Sequence, residues 1–301
     1  MICGIVDLGS NTIRLSIYQC EGSRCRLLMN RKVMAGLADY VVDGEMSPEG
    51  VRVACEVLLE YKSMMRNLGF GNLLVFATAS LRNVSNTAEA AARITEITGL
   101  AVDVLSGTEE ARLSFLGAVQ GAGPEAGLLI DLGGGSTELV RYEGREILSS
   151  CSLPLGSLSL FSRFVSGLHP TKGERKAIRA QVEKQLRRHQ PDLLPAAHAC
   201  GVGGTARAAC KAADLLFRRP EGTRTLTARE LRELLDRLKE PDRDDLHLLL
   251  KAAPDRIHTL IPGLIVLDTL ARAYGLEDLT VSLCGVREGY LQDLVLKGAS
   301  R

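Results

Sequence analysis

Two stretches of this chain repeat one plan, and the repetition limits the fold more than any other feature. Ile5 to Tyr18 reads IVDLGSNTIRLSIY, and Leu128 to Val140 reads LLIDLGGGSTELV. Each is a short apolar run, an aspartate near its end (Asp7, Asp131), a glycine-led polar turn and a second apolar run. That order predicts strand, tight turn, strand. A Glu-Gly turn follows each, at Glu21-Gly22 and Glu143-Gly144, and then a third strand-like segment, Arg26 to Met29 and Arg145 to Leu148. Two similar α/β domains, each contributing one hairpin to a central cleft, are the simplest geometry. The boundary is expected in the turn Gly121 to Gly127, giving domains over 1–122 and 123–285.

The second hairpin carries the densest chemistry. Asp131 ends a buried strand, and Gly133, Gly134 and Gly135 remove every Cβ from the turn, so backbone N–H groups can close around an anion such as phosphate. Ser136 and Thr137 can add hydroxyl donors, and Glu138 returns a second carboxylate to the same turn. Two carboxylates beside a phosphate nest suit Mg²⁺, or Mn²⁺, between them. In the first hairpin Asp7, Gly9, Ser10, Asn11 and Thr12 occupy the corresponding places. A glycine-rich turn of purely structural role is the plainer reading of each stretch taken alone.

Between the hairpins, Ser47-Pro48 opens a helix with apolar residues at helical spacing to Gly69, and Leu73 to Ala77 is a buried strand. Arg82 lies just beyond that strand, where open α/β sheets bind ligands; a phosphate clamp and a solvated arginine both fit. Glu109 and Glu110 sit in the first turn of the next helix, where acidic residues ordinarily complement the dipole. They point about 100° apart, so one of them is expected to face the cleft.

After the second hairpin, Leu153 to Ser159 is a glycine- and serine-containing loop expected to offer backbone N–H groups to phosphate. Thr171 and Glu174 form a capping box for a basic helix over Lys172 to His189, a solvated face or an electrostatic guide. Gly203, Gly204 and Thr205 stand at a strand-to-helix turn, where phosphate oxygens can bind. A long apolar helix over Asp255 to Gly275 is expected to be interrupted at Pro262-Gly263, followed by a strand at Thr280 to Leu283 and a last helix from Val286.

Composition narrows the classes. The 301 residues carry a net charge of +1, so any anion site is local rather than global. Aromatics make up 4% with no Trp, which excludes a base-stacking nucleic-acid surface. There is no G-x-x-x-x-G-K-S/T, dinucleotide fingerprint or H-E-x-x-H, and the five histidines lack metal-ligand spacing. The start MICGIVDLG enters a strand directly, and no apolar run reaches about 18 residues, so a cytoplasmic chain without membrane contact is expected. The eight cysteines form no C-x-x-C; buried thiols are expected, with Cys20 and Cys25 near a hairpin turn leaving a bond or an adventitious metal as the alternative.

Taken together, Asp7 to Thr12, Ala77 to Arg82, Ser106 to Arg112 and Ile130 to Leu139 resemble the exopolyphosphatase and guanosine pentaphosphate phosphatase family. The likeness continues at Leu153-Pro154-Leu155-Gly156-Ser157, Gly203-Gly204-Thr205, Pro262-Gly263 and Gly285 to Gly289, so it spans essentially the whole chain. It implies an actin-like α/β fold of two ribonuclease-H-like domains, with the last helix, about 286–301, packing back on the first. It implies that Glu110 polarises the attacking water and that Arg82 clamps the terminal phosphate. Asp131, Glu138 and Asp7 would help hold the metal, and both glycine hairpins, with Gly204 and Thr205, would cradle phosphates. The implied reaction is release of orthophosphate from inorganic polyphosphate, with guanosine pentaphosphate hydrolysis and a non-enzymatic polyphosphate or nucleotide sensor as alternatives. A homodimer is compatible with the family. Longer relatives carry a helical C-terminal region; this sequence stops at Arg301, which implies a short form favouring short chains. Ser159 stands where many relatives have an arginine.

Overall fold

The computed structural model describes residues 1–21, 24–119, 125–189, 194–220 and 222–299. The chain forms two compact units, Met1–Leu113 with Arg287–Arg301 and Ser114–Val286. The turn expected to hold the boundary lies partly outside the described residues.

In the first unit, β1 (Ile2–Leu8), β2 (Ile13–Glu21) and β3 (Arg24–Val33) form an antiparallel meander. A small hairpin, β4 (Val41–Val42) and β5 (Glu45–Met46), leads to α1 (Pro48–Asn67). Ser47 caps α1 by accepting the Gly50 N–H, and Pro48 fills the first turn, where its missing N–H has no partner to lose. Then come β6 (Leu73–Ala77), the short α2 (Ala79–Arg82), α3 (Thr87–Thr98), β7 (Val102–Val104) and α4 (Gly107–Val119). The sheet order is β3-β2-β1-β6-β7, with β6 and β7 parallel to β1. That arrangement follows from the sequence: hairpin turns join β1 to β3, whereas α1 and α3 are the crossovers that parallel neighbours require.

The second unit repeats the order. β8 (Ala126–Leu132), β9 (Thr137–Glu143) and β10 (Glu146–Leu153) form the meander. They are followed by α5 (Ser157–Phe164), α6 (Lys172–His189), β11 (His198–Val202), α7 (Gly203–Phe217), β12 (Thr225–Thr227), α8 (Ala228–Arg237), α9 (Arg243–Ala252), α10 (Leu260–Tyr274) and β13 (Asp278–Val281). The sheet order is β10-β9-β8-β11-β13-β12, the same topology with one antiparallel strand added at the edge. The fold is thus α/β with two ribonuclease-H-like lobes.

Register makes the repeat concrete. Asp7 pairs with Arg14 and Leu8 with Ile13; Asp131 pairs with Glu138 and Leu132 with Thr137. Each lobe closes its own core. Leu8, Ile13 and Leu15 pack with Leu58, Tyr61 and Met65 in one, and Ile130, Leu132 and Leu139 with Leu264, Ile265 and Leu267 in the other.

The last helix, α11 (Val286–Ala299), belongs to the first unit. Arg287 Nη1 donates to Ser16 Oγ at 2.9 Å, Tyr18 Oη to Glu288 Oε1 at 2.5 Å, and Tyr290 Oη to Asp103 Oδ2 at 3.1 Å.

Two expectations change. Pro262 does not interrupt a helix: α10 starts at Leu260, so Pro262 sits in its first turn, where a missing N–H is harmless. Cys20 and Cys25 are bonded, because they face each other across β2 and β3 with Cα atoms 4.1 Å apart. Among the described residues no helix is long and apolar enough to cross a membrane.

Candidate functional site

The second hairpin places Asp131 and Glu138 directly opposite each other, on one face of the β8–β9 ladder. Both carboxylates are buried, Glu138 at 1% exposure and Asp131 at 7%. Each accepts a serine hydroxyl: Ser114 Oγ to Asp131 Oδ2 at 2.5 Å, and Ser152 Oγ to Glu138 Oε1 at 2.8 Å. Burial, with the Asp131 charge adding to it, pushes the Cys200 thiol up to about 12, and burial and Glu138 raise Cys151.

The adjoining turn is held from behind. Gly133 N–H donates to Ser136 O at 3.0 Å, closing the turn. The first N–H groups of α5 then bond its carbonyls: Ser157 to Gly133 O, and Leu158 and Ser159 to Gly134 O, each at 3.0 Å. In a planar trans peptide the C=O and the following N–H point opposite ways, so the N–H groups of Gly134 and Gly135 are turned away from α5. Three Cβ-free residues, two of them with outward N–H groups, suit an anion nest. The expectation that Leu153 to Ser159 offers its own N–H groups to phosphate is therefore corrected: those of 157–159 are spent on fixing the glycine turn. Thr137 is likewise structural, fully buried with its hydroxyl donating to Leu155 O at 2.8 Å.

The first hairpin uses the same device. Gly9 N–H donates to Thr12 O at 3.1 Å, and Ala38 and Gly36 N–H donate to Ser10 O and Asn11 O at 2.9 and 3.0 Å. Ser80 Oγ also donates to Leu8 O. The difference lies in the opposing residue: Asp7 faces Arg14 where Asp131 faces Glu138. Asp7 thus begins with a cation across the ladder, and the carboxylate pair belongs to the second lobe alone.

Arg82 and Glu110 meet within the first unit. Arg82 ends α2 beyond β6, and its Nη1 donates to Glu110 Oε2 at 2.5 Å and to Leu105 O at 3.1 Å. Both side chains are largely shielded, at 16% and 10% exposure. The two adjacent glutamates divide the work that sequence left open. Glu109 closes a capping box with Ser106, whose N–H donates to Glu109 Oε2 at 3.0 Å, while Glu110 turns inward to Arg82.

Gly203 and Gly204 begin α7 behind the carboxylate pair. Gly203 has φ of +95°, and a Cβ there would lie 2.7 Å from Leu132 O and 3.2 Å from Asp131 Oδ1, so only glycine lets the turn approach so closely. Thr205 is buried, with its hydroxyl 3.4 Å from Ser157 Oγ. The guanidinium of Arg256 packs over Gly204, filling the space a Cβ would take, and burial holds its pKa below the ordinary arginine value. Sequence reading missed Arg256, Ser114 and Ser152; an isolated serine in a helix or strand gives no signal before tertiary structure exists.

A divalent cation fits the donor set of the second lobe. Asp131 and Glu138 offer hard oxygen donors on one face, and Mg²⁺ is commonly held by one or two carboxylates with waters completing its shell. Among the described residues no group of three or more acidic, histidine or cysteine side chains forms a full protein cage.

The chain is similar to proteins of known structure and name. A solved Ppx/GppA family member of Aquifex aeolicus superposes with a TM-score of 0.79 at 26% identity, covering 99% of this chain and 98% of that one. A Cytophaga hutchinsonii exopolyphosphatase structure shares the fold, with a TM-score of 0.86 at 21% identity over 99% and 98% of the two chains. Exopolyphosphatase 1 of Mycobacterium tuberculosis is 27% identical over 303 aligned positions, 97% of this chain and 87% of the relative. The class these define is a phosphoanhydride hydrolase on an actin-like fold. The model of the Ppx/GppA phosphatase family matches residues 16–298, and the chain belongs to that family.

Proposed function

We propose that the chain is an exopolyphosphatase, releasing orthophosphate from the end of inorganic polyphosphate with Mg²⁺ or Mn²⁺. The observation that supports this most is the closed end of the β8–β9 hairpin: two buried carboxylates on one face beside a turn with its N–H groups facing outward. Such a site binds a phosphate and a cation together, and phosphoryl transfer needs positioning and charge neutralisation more than covalent chemistry.

Asp131 and Glu138 would hold the divalent cation, which when bound offsets phosphate charge as a Lewis acid. The N–H groups of Gly134 and Gly135 would fix phosphate oxygens, with Ser136 and, in the first hairpin, Gly9 to Thr12 as further donors. Asp7 is proposed as an accessory carboxylate at the metal. Arg82 would clamp the terminal phosphate, since a guanidinium presents paired N–H groups in the spacing of phosphate oxygens. Glu110, oriented by Arg82, would take the proton of the attacking water as the bond to terminal phosphorus forms.

The test is orthophosphate release from polyphosphate and from guanosine pentaphosphate under matched conditions with Mg²⁺, followed by competition between them. The proposal expects turnover of polyphosphate that guanosine pentaphosphate inhibits weakly. Release from guanosine pentaphosphate alone would assign the second substrate, and tight binding without release would make the chain a sensor.

A further inference from the structure

Basic charge is gathered on one helix of this chain. α6 carries seven Lys and Arg against two Glu, while the whole chain has a net charge of +1. Two of the seven are committed to neighbours: Arg175 donates to Pro170 O at 3.1 Å and to Leu238 O, and Arg179 pairs with Asp268 at 2.9 Å. The other five, Lys172, Lys176, Lys184, Arg187 and Arg188, are exposed. At 3.6 residues per turn they fall within one arc of about 160°, on the side opposite the buried Ile178, Val182 and Leu186.

Among the described residues none of these five has an ion-pair partner. By contrast Arg52, Arg93 and Arg229, on α1, α3 and α8, each pair with a glutamate three or four residues away. In α6 the Glu174 carboxylate is spent on the cap, accepting the Thr171 and Ser166 N–H groups. Lys172 with Lys176, and Lys184 with Arg187 and Arg188, are like charges three or four residues apart, a spacing that weakens a helix. The stripe therefore works against its own helix, and an anion laid along it relieves the repulsion. What the stripe lacks narrows the class of anion. Its exposed residues include no Phe, Tyr or Trp to stack a base and no large apolar side chain to enter a bilayer.

We infer that the outer face of α6 binds polyphosphate along its length, apart from the β8–β9 hairpin. This rests on the exopolyphosphatase reading. From Lys172 to Arg188 the stripe runs about 24 Å, so it engages a chain of many phosphates rather than a short one. α6 packs against α5, whose first N–H groups hold the glycine turn, and against β10, which pairs with β9. Long chains are then held better than short ones, the opposite of the preference implied by the short form.

The experiment measures fluorescence anisotropy of end-labelled long-chain polyphosphate, without divalent cation, on the full chain. It compares the native protein, K176E/K184E, and R229E/K239E, which makes the same charge change at two other exposed positions; a melting curve accompanies each. K176E/K184E is expected to bind about 10-fold more weakly at low salt, with the slope of log affinity against log salt reduced by about 2, while R229E/K239E keeps the native slope. With Mg²⁺, KM for the long chain should rise by a similar factor in K176E/K184E, so that its advantage over tripolyphosphate shrinks. Should K176E/K184E fail to fold, K176Q/K184Q carries the same comparison. Equal affinity and salt slope in K176E/K184E and R229E/K239E would overturn the inference, whatever the turnover. Loss of binding in K176E/K184E from a native chain that releases no orthophosphate would uphold the stripe and remove the exopolyphosphatase reading. Tighter native binding of single-stranded RNA, or of phosphatidylserine–phosphatidylcholine vesicles, lost in K176E/K184E, would overturn the choice of ligand.

Discussion

Gly156→Ala tests how the phosphate turn is built. Gly156 precedes α5, and a Cβ added there would run into the backbone C and O of Gly134 and lie 2.6 Å from Gly135 N. Backbone cannot swing aside as a flexible side chain can, so α5 must back away from the turn. The three N–H bonds from Ser157, Leu158 and Ser159 would stretch together. Overpacking costs about 1–3 kcal/mol and each weakened bond about 0.5–1.5 kcal/mol, with partial relaxation limiting the sum to roughly 2–5 kcal/mol. For a unit of this size that is a melting-temperature drop of roughly 5–15 °C. With the Gly133 and Gly134 carbonyls released, the outward N–H groups lose their direction. Losing one such oriented donor typically costs about 10²–10³ in kcat. Gly173→Ala is the control: nothing lies within 4 Å of its added Cβ, and alanine favours the helix by up to about 1 kcal/mol. Differential scanning calorimetry and an orthophosphate assay on both variants decide the matter. A Gly156→Ala protein that melts and turns over like native would refute the claim that α5 orients the turn.

Two further predictions concern the scaffold. Among the described residues His169 has both ring nitrogens buried without a hydrogen-bond partner, and burial with the nearby Arg175 charge lowers its pKa. The unfolded chain therefore binds the proton more readily, so this contribution to stability is present above about pH 6.5 and is lost as pH falls below it. Urea melts between pH 7.5 and 5 should be flatter in His169→Leu than in native; parallel curves would contradict the assignment. Glu174, held down to about 2 first by the Thr171 N–H and then by Ser166, acts only below the ordinary carboxylate range and does not confuse that window. Reduction of the Cys20–Cys25 bond, which closes a short hairpin loop, should cost the first unit about 2 kcal/mol by loop entropy. Urea unfolding with and without dithiothreitol measures it, and identical midpoints would show that the bond adds nothing.

The duplicated hairpin was legible because its information is local. Strand period, an aspartate and a glycine-led turn brought Glu138 back beside Asp131, as the ladder shows. The capping box at Thr171–Glu174 was legible for the same reason. What sequence could not show depends on packing between distant segments. The role of α5 needed the fold, because the same glycine- and serine-containing loop could as well have faced the phosphate. Arg256 meets Gly204 only after α7 and the turn before α10 have packed. Spacing alone did not separate Glu110 from Glu109, which the resemblance did; in the fold Ser106 claims Glu109.

The central claim is that Glu110, held by Arg82, is the base of a polyphosphate hydrolase. Glu110→Gln keeps the shape, and its amide oxygen can still accept the Arg82 hydrogen bond, so the fold should be unchanged. The measurement is orthophosphate release from polyphosphate with saturating Mg²⁺, native against Glu110→Gln, with melting curves alongside. The account predicts equal melting and a rate lowered about 10²–10⁴-fold. Equal rates would contradict it.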